Sequence, residues 1–374
     1  MTRVVQLANF YGPCTGGIKT VLEELARWYS SAGIDRALIA PGPADAQESD
    51  EHGTRFFLRA PVVLGSGGYR MILRRRALSE LLDRLDPDAV EVSDKLTLVA
   101  AAGWARRRGI PCTLLSHERI DAILRDRVPA GVPLGRIADA WNAKLARSFD
   151  TVVCPSRFAS AEFERIGAAN VTVVPWGVDL DAFSPRARPP ALPTTPGHLE
   201  LACVGRLSKE KEPGLAVDVL AELCRRGVDA QLTMVGSGPL HAELEQRAID
   251  LPVTFAGHVH ERAGVARVLA TADVTLAPCR AETFGLAILE SLACGTPVVT
   301  SDSGAGSEVS GPTCGLAAPN DAARMADAVT RLLEQDGQRL RRRARERAEQ
   351  FSWAGAADAV LSVQLGGRTP ARCP

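Results

Sequence analysis

The sequence predicts an α/β protein of two Rossmann-like domains facing a central cleft. Three observations predict it. The chain has 374 residues, and about 150 residues per domain is the usual measure. Short apolar runs alternate with amphipathic helical stretches, the mark of βαβ units around a parallel sheet. The alternation pauses once, at a proline-rich stretch, and then restarts.

Val4 to Ala8 reads as the opening strand and Ile18 to Tyr29 as an amphipathic helix. Further strands are expected at Arg36 to Ala40, Ala89 to Val92, Thr113 to Ser116 and Thr151 to Cys154, with helical segments between several of them. Ser184 to Gly197 holds five prolines, which block both helix and inner strand. The rhythm resumes at Leu199 to Val204, Gln231 to Val235, Val253 to Ala256, Val274 to Ala277 and Thr296 to Thr300. The expected organisation is a first domain over 1–185, a linker over 186–198 and a second domain over 199–351. The tail, 352–374, is expected to pack back on the first domain. Asp321 to Gln350 reads as helical, and its arginines read as a solvated face. The carboxyl ends of two such sheets make a natural ligand cleft.

Composition narrows the function. Lys plus Arg equals Asp plus Glu at 44 each, against the basic face that a nucleic-acid binder needs. The nine cysteines include no Cys-x-x-Cys pair, so neither a zinc site nor a redox motif is supported. Several lie inside apolar runs and read as small core residues, which suits a reducing, cytoplasmic compartment. The N-terminus enters a strand pattern without a signal-peptide stretch. No uncharged run approaches the ~20 residues of a membrane span, so membrane contact is expected to be peripheral, at the inner face.

Three loops carry candidate chemistry. Asn9 to Ile18 joins the first strand to the first helix and includes Gly16 and Gly17. Such a turn lets backbone N–H groups approach a phosphate, though a tight turn needs the same glycines. Gly205-Arg206-Leu207-Ser208-Lys209-Glu210-Lys211 follows the second domain's first strand. Arg206 and Lys211 there can hold a diphosphate and stabilise it as a leaving group, although a surface charge cluster looks alike. Arg280 to Val299 holds Glu282 on a loop, Phe284-Gly285-Leu286 opening a helix, and Glu290 one turn in. N–H groups at Gly285 and Leu286 can donate to phosphate or sugar oxygens, and Glu290 can accept from ribose hydroxyls. His117 follows an apolar strand in Ser116-His117-Glu118-Arg119, at a sheet's carboxyl edge.

Glu282 and Glu290 with seven residues between them, around Phe284-Gly285-Leu286, resemble the signature of retaining glycosyltransferases of GT-B fold. Gly205-Arg206 with Lys211 resembles that family's diphosphate pair. Pro175-Trp176-Gly177-Val178-Asp179 with Phe183, Val235-Gly236-Ser237-Gly238-Pro239 and Phe255-Ala256-Gly257 follow in family order. The resemblance implies that Gly16, Gly17, Gly236, Phe284, Gly285, Leu286 and Glu290 line a donor site. It implies that Arg206 and Lys211 bind the diphosphate, and that Glu282 and His117 contact the transferred sugar. Thr283 and Trp176 depart from the usual Gly and Asn. Configuration is retained in the family, which implies same-face attack assisted by the leaving phosphate.

The wording is closer still to actinobacterial mannosyltransferases acting on phosphatidylinositol mannosides. Arg3 to Pro13, Gly67-Gly68-Tyr69-Arg70, Glu91 to Leu98, Ser116 to Arg119 and Phe351-Ser352-Trp353 carry that likeness. It implies GDP-mannose as donor and a phosphatidylinositol dimannoside as acceptor, with Tyr11, Tyr69 and Arg70 on the acceptor side. Arg70, Arg74, Arg75 and Arg76, among Met71, Ile72 and Leu73 and ahead of Leu78, Leu81, Leu82 and Leu85, can form a basic amphipathic helix on an anionic leaflet. An ordinary outer helix of the domain reads the same.

Neither Asp86-Pro87-Asp88 nor Asp179-Leu180-Asp181 is placed to bind a metal, so no metal and no cofactor is expected. A UDP-sugar-dependent transferase with a small-molecule acceptor stays open, as does a nucleotide-sugar epimerase or hydrolase of the same fold. A catalytically silent sugar binder is disfavoured by the intact charged set. An NAD-dependent oxidoreductase lacks its spaced-glycine fingerprint.

Overall fold

The computed structural model describes residues 2–12, 16–63, 68–121, 133–189 and 197–366. The chain divides into two units, Met1–Trp176 with Trp353–Pro374, and Gly177–Ser352. The division falls at Trp176, ahead of the 186–198 stretch that composition marks as linker. Packing explains the difference. Phe183 is buried, and Arg345 Nη1 donates to the carbonyls of Leu180 at 3.2 Å and Phe183 at 2.9 Å. Both contacts bind this segment to the second unit. Residues 190–196 of the expected linker lie outside the described residues.

The first unit holds β1 (Arg3–Leu7), β2 (Asp35–Gly42), β3 (Ala46–Asp50), β4 (Gly53–Arg59), β5 (Ala89–Val92), β6 (Cys112–Leu115), β7 (Thr151–Cys154) and β8 (Val171–Val173). Their order is β3-β4-β2-β1-β5-β6-β7-β8, parallel except for the β3–β4 pair. The hairpin turns at Gly53, whose φ is +117°; a Cβ there would lie 2.2 Å from the Arg36 carbonyl oxygen. Helices α1 (Gly17–Ser31), α2 (Arg75–Leu85), α3 (Ala100–Arg108), α4 (Leu134–Ser148) and α5 (Arg157–Glu164) belong to this unit.

Of the two readings of α2, its apolar face fits the ordinary outer helix of the domain. Leu78, Leu81 and Leu82 are buried in the core with Val5, Ile39, Val90, Val92 and Leu114. Burying each such side chain contributes about 1.5–3 kcal/mol, so the apolar face belongs to the protein's own interior. Ile72 is buried there too. Leu73, at 56% exposure, and the exposed Arg75 and Arg76 remain on the outside. Arg74 and Arg76 are paired with Asp45 and Glu80, each at 2.8 Å. No helix among the described residues is long and apolar enough to cross a membrane.

The second unit holds β9 (Leu199–Val204), β10 (Ala230–Val235), β11 (Val253–Gly257), β12 (Val274–Ala277), β13 (Val298–Ser301) and β14 (Gly315–Ala318). All pairs are parallel, in the order β11-β10-β9-β12-β13-β14. This is the doubly wound order, with its topological switch between β9 and β12. Around it lie α6 (Pro213–Arg225), α7 (His241–Arg247), α8 (Arg262–Thr271), α9 (Leu286–Ala293), α10 (Gly306–Ser310), α11 (Ala322–Leu333) and α12 (Gly337–Ala348).

The expected helical tail is two helices. Asp321 caps α11 by accepting from Arg324 N at 3.0 Å, and Asp336 caps α12 by accepting from Arg339 N at 3.1 Å. The arginines of α12 are not simply a solvated face. Arg341 donates to the carbonyls of Ala270 and Ala272 at the end of α8. Arg345 donates to the Ala293 carbonyl closing α9, and Arg347 to those of Glu308 and Val309 in α10. Each guanidinium thus satisfies carbonyls that a helix end leaves open, at the pole where a cation is favoured.

The closing helix, α13 (Trp353–Gln364), belongs to the first unit. Its Gln364 donates to Glu91 Oε1 at 2.7 Å. Glu91 is fully buried in β5 and also accepts from the Tyr29 hydroxyl and from Gln6 Nε2 at 2.8 Å.

Candidate active site

The loops after β9 and β12 flank the switch point of the second sheet. The β9 loop lies backbone to backbone against the β10 loop. Gly205 N donates to Val235 O at 2.9 Å, and Leu207 N to Ser237 O at 3.0 Å. A Cβ on Gly236, whose φ is +140°, would sit 1.8 Å from the Gly205 carbonyl oxygen. That approach gives Gly236 a steric reason independent of any ligand, and it fixes the loop carrying Arg206, which is half-buried.

Lys211 ends a short 3-10 turn, Lys209–Lys211. Its Nζ lies 2.6 Å from Glu282 Oε2, so two residues 71 positions apart meet. Burial works against the ammonium form. The Glu282 carboxylate, with Cys279 and Glu210 adding to it, outweighs burial and raises the Lys211 pKa above its ordinary value. Lys211 is therefore a fixed cation at neutral pH. Cys279 Sγ donates to Glu210 O at 3.0 Å across the same gap, and burial pushes that thiol up to about 12.

Gly285 precedes α9 with φ +92°, in the left-handed region that suits glycine. A Cβ there would meet Ile288 Cδ1 at 2.7 Å. Phe284 is buried and packs edge-on against Phe351 at 6.0 Å. Leu286 begins the helix, so its N–H is among those that an N-terminus leaves without intrahelical partners. Glu290 lies one turn further on. Burial raises its pKa to about 7, against the lowering influence of Arg262. Arg262 is itself 3.1 Å from Asp179.

Sequence reading missed Gly304. Its φ is +90°, and a Cβ would lie 3.1 Å from Arg280 O and 3.2 Å from Glu282 N and O. Ala305 N donates to Glu282 O at 2.7 Å, and Ser303 Oγ to Arg280 O at 3.1 Å. The loop after β13 is thus a strap over the Glu282 loop. The run Ser301-Asp302-Ser303-Gly304-Ala305-Gly306 after a strand was the available signal.

In the first unit, His117 leaves the carboxyl end of β6. Its Nε2 lies 2.9 Å from Ser93 Oγ. Its ring stacks on Trp176 at 5.8 Å, and Trp176 stacks on Trp353 at 6.5 Å. The unusual Trp176 therefore has a packing role beside His117. Burial first, then the Lys95 charge, lowers the imidazole pKa to about 3, so His117 is neutral across the physiological range. Lys95 is anchored on the fully buried Glu162 and on Glu118 O at 2.5 Å.

Gly16 and Gly17 are exposed at the start of α1, and a Cβ on Gly16 would meet nothing within 4 Å. The residues expected on the acceptor side make contacts within the first unit. The Tyr11 hydroxyl is 3.2 Å from Glu23 Oε1, and Arg70 Nη1 donates to Ala60 O at 2.6 Å. Both side chains are thereby engaged within the unit. Tyr69 packs edge-on against Phe10 at 5.4 Å. Among the described residues, no three His, Cys, Asp or Glu side chains gather in a metal-holding group.

Known proteins resemble this chain along nearly its whole length. Residues 198–335 match the family described as glycosyl transferases group 1, and residues 15–182 match glycosyltransferase family 4. The GDP-mannose-dependent alpha-(1-6)-phosphatidylinositol dimannoside mannosyltransferase of Mycobacterium tuberculosis is 43% identical over 375 residues, 99% of this chain and 98% of that protein. Glycogen synthase of the same species is 31% identical, over 100% of this chain and 96% of that protein. Among solved structures, sucrose-phosphate synthase from Thermosynechococcus elongatus superposes with a TM-score of 0.80 at 21% identity. It covers 99% of this chain and 100% of that one. Trehalose-6-phosphate synthase gives a TM-score of 0.75 at 14% identity, over 96% and 98% of the two chains. These two likenesses speak for the fold. The chain belongs to the group 1 glycosyl transferases and is a hexosyltransferase of GT-B fold.

Proposed function

We propose that the chain is a retaining mannosyltransferase, taking mannose from GDP-mannose and passing it to a mannosylated phosphoinositide. The observation that carries the donor half is the Lys211–Glu282 pair at the switch point, beside the amino end of α9. The 43% identical relative bears that donor and that acceptor class in its name.

Transfer breaks the bond between the anomeric carbon and the diphosphate. Negative charge grows on the departing phosphate and positive charge on the ring. Arg206, Lys211 and the N–H groups at Gly285 and Leu286 oppose the first, as preorganised groups that need no reorganisation during reaction. Glu282 faces Lys211 and the sugar hydroxyls. Neutral His117 offers a hydrogen bond to a sugar hydroxyl without adding a charge. The acceptor hydroxyl attacks the anomeric carbon on the face the diphosphate leaves, its proton passes to the departing phosphate, and the anomeric configuration is unchanged. The reading needs no metal and no cofactor. For the acceptor, Leu73, Arg75 and Arg76 offer a small basic and apolar edge to a leaflet at the inner face of the cell membrane.

Calorimetry with GDP, UDP and ADP, followed by transfer assays on phosphatidylinositol dimannoside, tests the reading. GDP preference with transfer to the lipid is expected. A UDP preference would replace it with a UDP-sugar transferase.

Glu290 adds a pH signature. Ribose hydroxyls donate to its carboxylate form, so binding must expel the proton held below about pH 7. GDP affinity is expected to fall as pH drops through that value, by up to about tenfold per unit. The same titration of Glu290→Gln should lack this component. Parallel profiles for the two proteins would remove Glu290 from the ribose.

A further inference from the structure

The loops after β9, β12 and β13 converge on the side chain that follows β14, Asn320. Its Nδ2 donates to Glu212 Oε2 and to Pro278 O, the latter at 2.5 Å. Its Oδ1 accepts from Ser301 Oγ at 2.5 Å. Glu212 is the residue after Lys211, held in a left-handed conformation at φ 50°, and its Oε2 also lies 3.4 Å from Arg280 Nε. Pro278 begins the loop that carries Glu282. Ser301 Oγ accepts from Ser303 N at 3.1 Å, and Ser303 belongs to the strap over that loop.

We propose that Asn320 is a positioning residue for the donor diphosphate, one amide that fixes the arm bearing Lys211 relative to the arm bearing Glu282. The inference rests on the donor reading given above.

The chemistry suits an amide in particular. Two donors and an acceptor on one short side chain are needed, and Asn supplies them. Aspartate has the same size but would set a carboxylate against Glu212 and against the Pro278 carbonyl. Serine is too short to span the three partners. The Lys211–Glu282 distance of 2.6 Å is then a property of loops anchored at a shared point rather than of two independent side chains.

A double-mutant cycle on the full chain separates positioning from general support. The probe is GDP, measured by calorimetry, with thermal midpoints recorded for every variant. Asn320→Ala is expected to weaken GDP about tenfold, the scale of one lost hydrogen-bond partner at a half-buried site. In a Lys211→Ala background the same change should cost less than about twofold, because coupled residues are not additive. Asn320→Asp keeps the volume and the Ser301 contact, and should weaken GDP at least as much. It carries the test if the alanine variant does not fold.

Wild-type GDP affinity in both Asn320 variants would overturn the proposal. So would an equal loss in the two backgrounds, which marks a merely structural residue. If Lys211→Ala alone leaves GDP binding intact, the diphosphate reading falls and takes this inference with it. Loss on Lys211→Ala with normal binding by the Asn320 variants sinks the positioning role alone.

Discussion

Lys211→Ala is expected to slow sugar transfer about 10²–10³-fold, the usual cost of deleting one preorganised charge-stabilising group. Two effects act together. The departing diphosphate loses a cation whose protonated form is secured by Glu282 at 2.6 Å. Glu282 also loses its partner, so a carboxylate faces the incoming phosphates. Lys211→Arg is not a conservative substitute, because a planar fork replaces a point charge seated against one carboxylate oxygen. Initial rates of mannose transfer check the expectation, with the thermal midpoint as a control on folding. A rate within about threefold of wild type would show that the diphosphate does not rest on this ammonium group.

Glu162→Leu is expected to destabilise the first unit by about 3–5 kcal/mol, the range for removing one partner of a buried ion pair. Glu162 is fully buried and Lys95 nearly so, with 9% of its side chain exposed. The carboxylate does more than pair with Lys95. Its Oε2 accepts from Ile120 N at 3.1 Å and Asn142 Nδ2 at 3.0 Å. Three partners are stranded at once, and the Lys95 ammonium is left uncompensated. Lys95→Met in the same chain should recover much of the loss, since replacing both charges by apolar groups is often near neutral. Urea unfolding of the two single variants and the double variant measures this. A double variant as unstable as the sum of the singles would show that the pair is not coupled.

Much of the sheet architecture was legible because the buried parallel strands are short, mainly apolar runs. Leu199–Val204 and Val274–Ala277 need no tertiary information to be recognised. β3 was not legible: Ala46-Gln47-Glu48-Ser49-Asp50 is exposed at every position. It is a sheet edge, where polarity guards against further pairing and erases the apolar signal. The basic helix stayed open between two readings for a different reason. A sequence shows that an apolar face exists, not whether its partner is lipid or the domain's own core, and Leu78, Leu81 and Leu82 chose the core.

The candidate site divides along similar lines. Glu282, Gly285 and Glu290 lie in one short stretch and could be read together. The Lys211–Glu282 contact could not, because nothing local relates residues 71 apart. Asn320 carried no signal at all. An asparagine between a strand and a helix cap reads as a turn, and its three partners lie 19, 42 and 108 positions earlier.

The α13 contact bears on how the protein matures during synthesis. Gln364 reaches Glu91, 273 positions earlier, and α13 packs with the unit whose strands emerge first. Chains generally fold domain by domain as they leave the ribosome. Here the earlier-made half must wait with a buried carboxylate short of one donor until the chain has been made through Gln364. The later-made half, contiguous from Gly177 to Ser352, can reach its native arrangement before the half that precedes it.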